Sequence, residues 1–208
     1  MSAFYYVGVS LICHLSATEL TFYWSMLKVR ENQRGDKMNI LQNIHAFDVQ
    51  TFYWCMARKH RAKLTQIGRA ISFSADGPIY ALVAALVWLA GFETLVCVLA
   101  FGFLIERAVY FILKRGFKRH RPADALDDFS SFIIPSDQFS FPSGHTSGAF
   151  FIAFCLSEWF PSLNMMLYFW AANVGLSRIF LGVHFPTDTV IGALLGSACA
   201  AVAIGVLV

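Results

Sequence analysis

Five segments of the chain are almost continuously apolar and have lengths typical of membrane helices. They are Ile71–Gly91, Thr94–Leu113, Ser143–Phe160, Ser162–Ser177 and Thr187–Val208. A hydrocarbon layer of about 30 Å needs about 20 apolar helical residues. The pattern therefore predicts five transmembrane helices. Because only two residues separate some of them, we expect those neighbours to run antiparallel.

The N-terminal third is more polar. Ala3–Leu27 contains His14 and Glu19 but is otherwise largely apolar and rich in aromatic residues, and it is the candidate for a sixth span. Met38–Ala57 contains too many polar residues for a lipid-facing span. It places three apolar side chains on one helical face, which favours a helix lying along the membrane interface; they are Ile40, Ile44 and Phe47.

These patterns predict an all-α, polytopic membrane bundle of six transmembrane helices, with an interfacial amphipathic segment before the second. We divide the chain into an N-terminal membrane and interfacial segment, residues 1–70, and a helix bundle, residues 71–208.

Sequence signals mark two helix starts and one packing face. Asp76-Gly77-Pro78 and Pro142-Ser143-Gly144 are typical of helix N-termini, with Asp76 and Ser143 as N-caps. In the last segment small residues recur every four positions, which permits close packing between helices in lipid. Asp188 shares this face one turn earlier, and the small residues are Gly192, Gly196 and Ala200.

Composition supports the membrane assignment. Hydrophobic residues make up 57% of the 208 residues and charged residues 14%, against about 45–50% and about 25% in soluble domains. This excludes a soluble globular enzyme, a disordered tail and a nucleic-acid module. The net charge of +3 is too small to imply a polyanionic partner, and no obligate protein partner is evident.

Basic residues concentrate on one predicted face of the bundle. If the five spans alternate, eleven lysines and arginines fall on one side of the membrane and only Glu93 and Glu158 on the other. The positive-inside rule would make the basic face cytoplasmic. The alternative is a binding site for an anionic headgroup, and both explanations can hold together. Glu106 and Arg107 lie inside a span, where we expect an ion pair and no catalytic role.

Three clusters of polar residues lie at helix ends on this basic face. The first is Lys114, six residues, then Arg121 and Pro122. The second is Pro142, Ser143, Gly144 and His145. The third is Ser177 and Arg178, five residues, His184, three residues, then Asp188. Packing of the bundle can bring all three together.

The first expected function of these clusters is to bind a compact oxyanion such as a phosphoryl group. Lys114, Arg121 and Arg178 supply three cations, of which arginine offers a planar fork of donors. The backbone N–H groups at Ser143, Gly144 and His145 open a helix, where unpaired donors and the dipole favour an anion.

The second expected function is nucleophilic catalysis. The i, i+4 spacing lets Asp188 reach the imidazole of His184, fix its tautomer and leave the other nitrogen free to attack. His145 would serve as general acid and then as general base. Fixed cations would neutralise the transition state, so we predict no metal and no cofactor. Three acidic residues between the first two clusters are expected in a solvated loop; they are Asp124, Asp127 and Asp128.

The clusters resemble the KxxxxxxRP, PSGH and SRxxxxxHxxxD motifs of the type 2 phosphatidic acid phosphatase superfamily, and all eleven motif positions match. The resemblance implies a phosphohistidine on His184, with Asp188 as its partner and His145 as acid/base. It implies phosphate binding by a further set of residues, namely Lys114, Arg121, Ser143, Gly144 and Arg178. The remaining motif positions, Pro122, Pro142 and Ser177, are expected to be structural.

The resulting hypothesis is an integral lipid phosphatase of the cell (inner) membrane. Its substrate would be a lipid phosphate such as phosphatidic acid, phosphatidylglycerophosphate or undecaprenyl diphosphate, and the motifs do not choose among them. Bacterial members of the superfamily that the chain resembles usually have the site on the periplasmic face of the membrane. We expect the same orientation here, although the distribution of basic residues favours the cytoplasmic face. The alternatives are a membrane anion transporter, a catalytically inactive lipid-phosphate binder, and the haloperoxidase chemistry of the soluble members.

Overall fold

The computed structural model describes residues 40–135 and 137–208, and within these ranges every regular element is helical. The predicted span Ala3–Leu27 lies outside the described residues. The α-helices are α1 Ile40–Met56, α2 Arg61–Phe73, α3 Gly77–Leu89, α4 Glu93–Phe117, α5 Pro122–Ala125, α6 Gly144–Trp159, α7 Asn164–Phe180 and α8 Pro186–Leu207. A 3₁₀ turn, Pro161–Leu163, joins α6 to α7. The all-α prediction is confirmed for the described part of the chain.

The chain divides into two compact units, with the boundary between Lys59 and His60. In the first unit α1 coincides with the helix predicted on the interface. Its three expected apolar positions are all exposed, at Ile40, Ile44 and Phe47. An exposed apolar face is what an interfacial helix requires.

In the second unit α6 lies at the centre of the bundle and packs against α4, α7 and α8. The core cluster includes the buried side chains of Leu99, Phe151 and Ala200. Because lipid tails are as apolar as these side chains, close van der Waals packing stabilises such a bundle more than hydrophobic transfer does.

The small-residue face of α8 packs tightly on α6, as predicted. A Cβ atom added at Gly196 would lie 2.0 Å from the backbone oxygen of Ser147, and one at Gly192 would lie 2.6 Å from that of Ser143. Glycine is required where two backbones approach this closely. Asp188 faces the bundle and is fully buried, which confirms its predicted orientation.

Two helical stretches are long and apolar enough to cross a membrane, Glu93–Ala125 and Pro186–Leu207. The helices α2 and α3 together pass the same test, but they are bent by 45° at the short break between them. By length and composition, up to three stretches of the described residues could therefore cross a membrane. The helices α6 and α7, of 16 and 17 residues, lie at two further predicted spans.

Several predicted boundaries were wrong, by up to six residues for the start of the span predicted as Ile71–Gly91. The predicted span Thr94–Leu113 begins at Glu93 and continues to Phe117, so that Lys114 is helical and buried. The helix ends where Lys118 adopts a left-handed conformation, φ 46°. The helix α3 begins at Gly77, as the Asp76-Gly77-Pro78 signal predicted, and the residues before it belong to a separate helix.

Candidate active site

The bundle encloses a cavity of about 730 Å³, and its lining residues come from all three polar clusters. Six predicted site residues line it, namely Lys114, Arg121, Gly144, His145, Arg178 and His184. Other walls are apolar, formed by side chains such as Ala84, Val96 and Phe103. The cavity therefore joins a cationic region to an apolar one. The predicted convergence of the three clusters is present in the structure.

The N-terminus of α6 forms one edge of the cationic region. Gly144 is packed so closely against Tyr110 that an added Cβ would lie 3.1 Å from its ring. Ser143 is the N-cap residue, but its side chain does not cap the helix. Its hydroxyl instead pairs with Thr146 Oγ1 at 2.9 Å, and its N–H donates to the Asp188 carbonyl at 3.0 Å. Ser143 thus lies behind the cavity and contributes to its backbone frame.

His184 lies in the loop between α7 and α8, almost completely buried. Burial lowers the pKa of its imidazole well below the usual value, and the positive charges of Arg178 and Arg121 lower it further. The ring is therefore neutral at physiological pH, the form in which an imidazole can act as a nucleophile. Within the described residues, its Nδ1 atom is buried without a hydrogen-bond partner.

Asp188 has different partners from those predicted. Its Oδ2 atom is 3.7 Å from His184 Nδ1, too far for a hydrogen bond. The carboxylate accepts a hydrogen bond from Arg119 at 2.7 Å and another from the backbone N–H of Phe185 at 2.8 Å. These bonds cap the first turn of α8 and fix the loop that carries His184, so Asp188 supports the imidazole through the backbone.

His145 pairs with a carboxylate that the sequence suggested only as a helix cap. Its Nε2 atom is 2.8 Å from Asp76 Oδ1. Asp76 precedes α3 and makes no capping bond with its side chain. The predicted N-cap position is correct, but the carboxylate turns into the cavity and contacts the imidazole.

The three predicted cations do not share one environment. Lys114 Nζ is 2.6 Å from Asp137 Oδ2 and also bonds to the hydroxyl of Tyr110. Arg121 donates to the same Asp137 carboxylate and, at 2.7 Å, to the carbonyl of Val183. Arg178 donates to Ser72 Oγ at 2.6 Å, and its Nε atom is buried without a partner among the described residues.

Asp137 is strongly held by these neighbours. Burial alone would raise the pKa of its carboxyl, but the hydrogen bond and charge of Lys114, with help from Tyr110 and Arg121, lower it to about 2. The carboxylate is therefore ionised throughout the physiological range. The Asp137 side chain is 35% exposed to solvent.

The predicted ion pair of Glu106 and Arg107 is present between neighbouring residues of α4. The two nitrogen–oxygen distances are 2.5 and 2.6 Å. Glu106 is fully buried and also accepts a hydrogen bond from Ser147 of α6. The pair thus joins two helices, and Arg107 lines the cavity.

The remaining motif residues have structural contacts. Pro122 begins α5 and is buried, Pro142 precedes the α6 N-cap, and the Ser177 hydroxyl donates to the Val174 carbonyl at 2.6 Å. Asp124, Asp127 and Asp128 are exposed, as predicted, but Asp124 belongs to the short helix α5 and not to a loop. No group of three or more His, Cys, Asp or Glu side chains within residues 40–135 and 137–208 is arranged as a metal site.

Sequence reasoning missed the site contacts of Tyr110, Arg119 and Asp137. Tyr110 had a readable signal, because it lies one helical turn before Lys114 on the same face. Arg119 and Asp137 had none, since their contacts depend on how loops far apart in sequence fold against α4 and α8.

Fold and site together define a helical membrane protein with a cavity that combines two histidines, four lysine and arginine side chains and an apolar wall. The profile described as the PAP2 superfamily matches residues 95–207. This region is more than half of the chain and contains all three clusters, and the chain belongs to this superfamily.

Individual relatives agree with this assignment. The chain is 38% identical over 92 residues to the lipid A 1-phosphatase of Rhizobium johnstonii, covering 41% of this chain and 37% of that protein. It is 37% identical over 115 residues to the phosphatidylglycerophosphatase B of Bacillus subtilis, covering 50% and 53%. The chain thus matches about half or less of the length of these curated relatives.

The fold also resembles a solved structure. Aquifex aeolicus LpxE superimposes with a TM-score of 0.70 at 29% sequence identity, covering 77% of this chain and 96% of that chain. Superfamily membership explains why three distant clusters converge on one cavity.

Proposed function

We propose that this chain is an integral membrane phosphatase that removes a phosphoryl group from a lipid. The cavity that joins cations, two histidines and an apolar wall is the observation that carries this proposal. A compact anion fits the cationic region, and a hydrocarbon chain fits the apolar wall. The names of the lipid phosphatase relatives support the same substrate class.

The proposed reaction begins with attack of His184 on phosphorus. A neutral imidazole forms a P–N bond while the P–O bond to the lipid breaks, and His145 gives a proton to the departing oxygen. A water molecule then attacks the phosphohistidine, with His145 accepting its proton. The P–N bond breaks, releasing inorganic phosphate and restoring neutral His184.

Positioned cations would stabilise the charge that develops on the phosphoryl oxygens. Lys114, Arg121 and Arg178 line the cavity beside the two histidines. The N–H groups that open α6 at Gly144 and His145 add further donors, whereas the N–H of Ser143 is bonded to the Asp188 carbonyl. With this much fixed positive charge, the proposed mechanism requires no metal.

Asp188 and Asp76 would act as positioning residues. Asp188 fixes the loop that carries His184, and Asp76 contacts the imidazole of His145 directly. A carboxylate on one ring nitrogen defines the tautomer and leaves the other nitrogen for proton transfer.

We propose the predicted membrane arrangement for the whole chain. It has six spans in the inner membrane, with Ala3–Leu27 as the first, α1 along the interface, and the cavity open towards the periplasmic face. In this arrangement residues 1–59 form the N-terminal membrane and interfacial segment and 60–208 the catalytic bundle, because the boundary predicted at residue 70 would divide α2. Candidate substrates are phosphatidic acid, phosphatidylglycerophosphate and undecaprenyl diphosphate.

The test is phosphate release by the purified protein in detergent with EDTA, using short-chain forms of these three lipids. We expect turnover of at least one lipid phosphate by the wild type. His184→Ala should abolish turnover and the phosphoenzyme, whereas His145→Ala should slow release of a poor leaving group. The matched control is His60→Ala, an exposed histidine before α2 that does not line the cavity.

The outcomes separate this proposal from its rivals. A wild type that binds lipid phosphate without releasing phosphate would identify a binder or a transporter. Near-wild-type turnover by His184→Ala would refute the assignment of the nucleophile. Loss of turnover on treatment with EDTA, restored by a divalent cation, would refute metal independence.

A further inference from the structure

The carboxylate of Asp137 occupies the cationic part of the cavity. Its Oδ2 atom lies 2.6 Å from Lys114 Nζ and accepts a hydrogen bond of 2.9 Å from the Tyr110 hydroxyl. Its Oδ1 atom accepts a hydrogen bond from Arg121. Two of the three cations proposed to bind phosphate are therefore already paired with an anionic group of the protein.

These contacts are the ones that a phosphoryl group would make. Lys114 and Arg121 donate to carboxylate oxygens as they would to phosphate oxygens, because both ligands are compact oxyanions. Each nitrogen of the Arg121 guanidinium already has a protein partner, since Nε and Nη1 bond to the backbone carbonyls of Asp137 and Val183 at 3.0 and 2.7 Å and Nη2 bonds to the Asp137 carboxylate. A phosphoryl group cannot bind the donors that Lys114 and Arg121 now direct at Asp137 while the carboxylate remains.

The side chain of Asp137 can leave without displacement of its backbone. Its main-chain carbonyl is held by Arg121 Nε, whereas its side chain is 35% exposed at the surface of the cavity. Rotation about its side-chain torsions would free the cations and turn the carboxylate towards water.

We propose that Asp137 is an internal competitor for the phosphate-binding cations. This inference rests on the proposed function for the identity of the external ligand. The carboxylate neutralises Lys114 and Arg121 when the cavity holds no phosphoryl group, and substrate binds by replacing it. The same exchange in reverse assists the departure of inorganic phosphate, because the cations regain a partner as the product leaves.

The test is the affinity for inorganic phosphate, measured by isothermal titration calorimetry on the full chain in detergent. Asp137→Asn keeps the shape of the side chain and removes its charge. We expect it to bind phosphate about tenfold more tightly than the wild type, which corresponds to about 1.4 kcal/mol. Asp137→Ala should shift the affinity in the same direction and provides a second test if the first variant does not fold.

The matched control is Asp128→Asn, which removes the same charge from an exposed position that does not line the cavity. Its phosphate affinity should equal that of the wild type. Tighter binding by either folded Asp137 variant, with an unchanged control, supports the competitor. Unchanged or weaker binding by the folded Asp137 variants overturns it and makes Asp137 a residue that arranges the cations.

The binding measurement is independent of turnover. If the wild type hydrolyses lipid phosphates and the Asp137 variants bind phosphate no more tightly, the competitor fails and the proposed function stands. If no lipid phosphate is hydrolysed while both variants bind phosphate more tightly, the proposed function fails and the competitor is retained.

Discussion

Gly196 offers a sharp test of how the bundle is held together. It lies on the face of α8 that contacts α6, and an added Cβ would lie 2.0 Å from the Ser147 backbone oxygen and 2.9 Å from the Phe151 nitrogen. Both neighbours are backbone atoms of a helix and cannot turn aside. Gly196→Ala therefore forces the two helices apart.

The expected cost follows from this clash. Overpacking a well-packed interface costs about 1–3 kcal/mol, and replacing a helical glycine by alanine returns about 0.5–1 kcal/mol. We expect a net loss of about 1–2 kcal/mol, which for a chain of this size lowers Tm by roughly 2–8 °C. Since α6 begins at Gly144 and His145, the shift should also reduce turnover.

Gly205→Ala is the matched control on the same helix. An added Cβ at Gly205 meets no atom within 4 Å, so only the helix propensity remains and Tm should rise or stay the same. The assay is thermal unfolding of the three proteins in one detergent, combined with phosphate release. An unchanged Tm in Gly196→Ala, or equal changes in the two variants, would refute the proposed tight contact.

Two further predictions concern buried and paired carboxylates. Asp188→Asn removes the negative charge that pairs with Arg119 and weakens the cap at Phe185, so we expect the free energy of unfolding to fall by about 2–3 kcal/mol. Reduced turnover with an unchanged Tm would show that Asp188 acts on His184 alone. The pKa of the Asp137 carboxyl is lower in the folded protein, about 2, than the 3.8 of the unfolded chain. Its ionised form therefore stabilises the fold at pH values above 3.8, and this stabilisation is lost as the pH falls towards 2. After discounting for solvent screening, we expect this ionisation to add about 1 kcal/mol to the free energy of unfolding. The difference in Tm between the wild type and Asp137→Asn should therefore disappear between pH 5 and 2. A difference that stays constant over this pH range would contradict the linkage.

Much of the fold of the described residues could be predicted from hydrophobic length and helix-start signals. The Asp76-Gly77-Pro78 and Ser143-Gly144 starts are correct because extended N-cap geometry and proline constrain the backbone locally. The separate helix α2 and the final turn of α4 were not predicted, because their polar and charged residues suggested loop and headgroup positions. Burial of Lys114 against Tyr110 and Asp137 compensates for that polarity, and such compensation is visible only in three dimensions.

The candidate site could be predicted in composition but only partly in connectivity. Spacing within each cluster located the cations and both histidines, because those residues lie near helix ends. The i, i+4 relation suggested a direct bond between His184 and Asp188, but the α8 N-terminus and Arg119 provide the carboxylate with closer partners. The contact of Asp76 with His145 joins residues 69 positions apart, so no local sequence pattern predicts it.

The helix α4 lines the cavity from Val96 to Lys114 along one face. At about 1.5 Å of rise per residue, these positions are separated by about 27 Å. One continuous helix therefore carries both the apolar surface that suits the hydrocarbon part of a ligand and the ammonium group that suits its anionic part. Sliding α4 along its axis would move both ends by the same amount, so the spacing between them is set by the helix repeat and stays constant under such a movement.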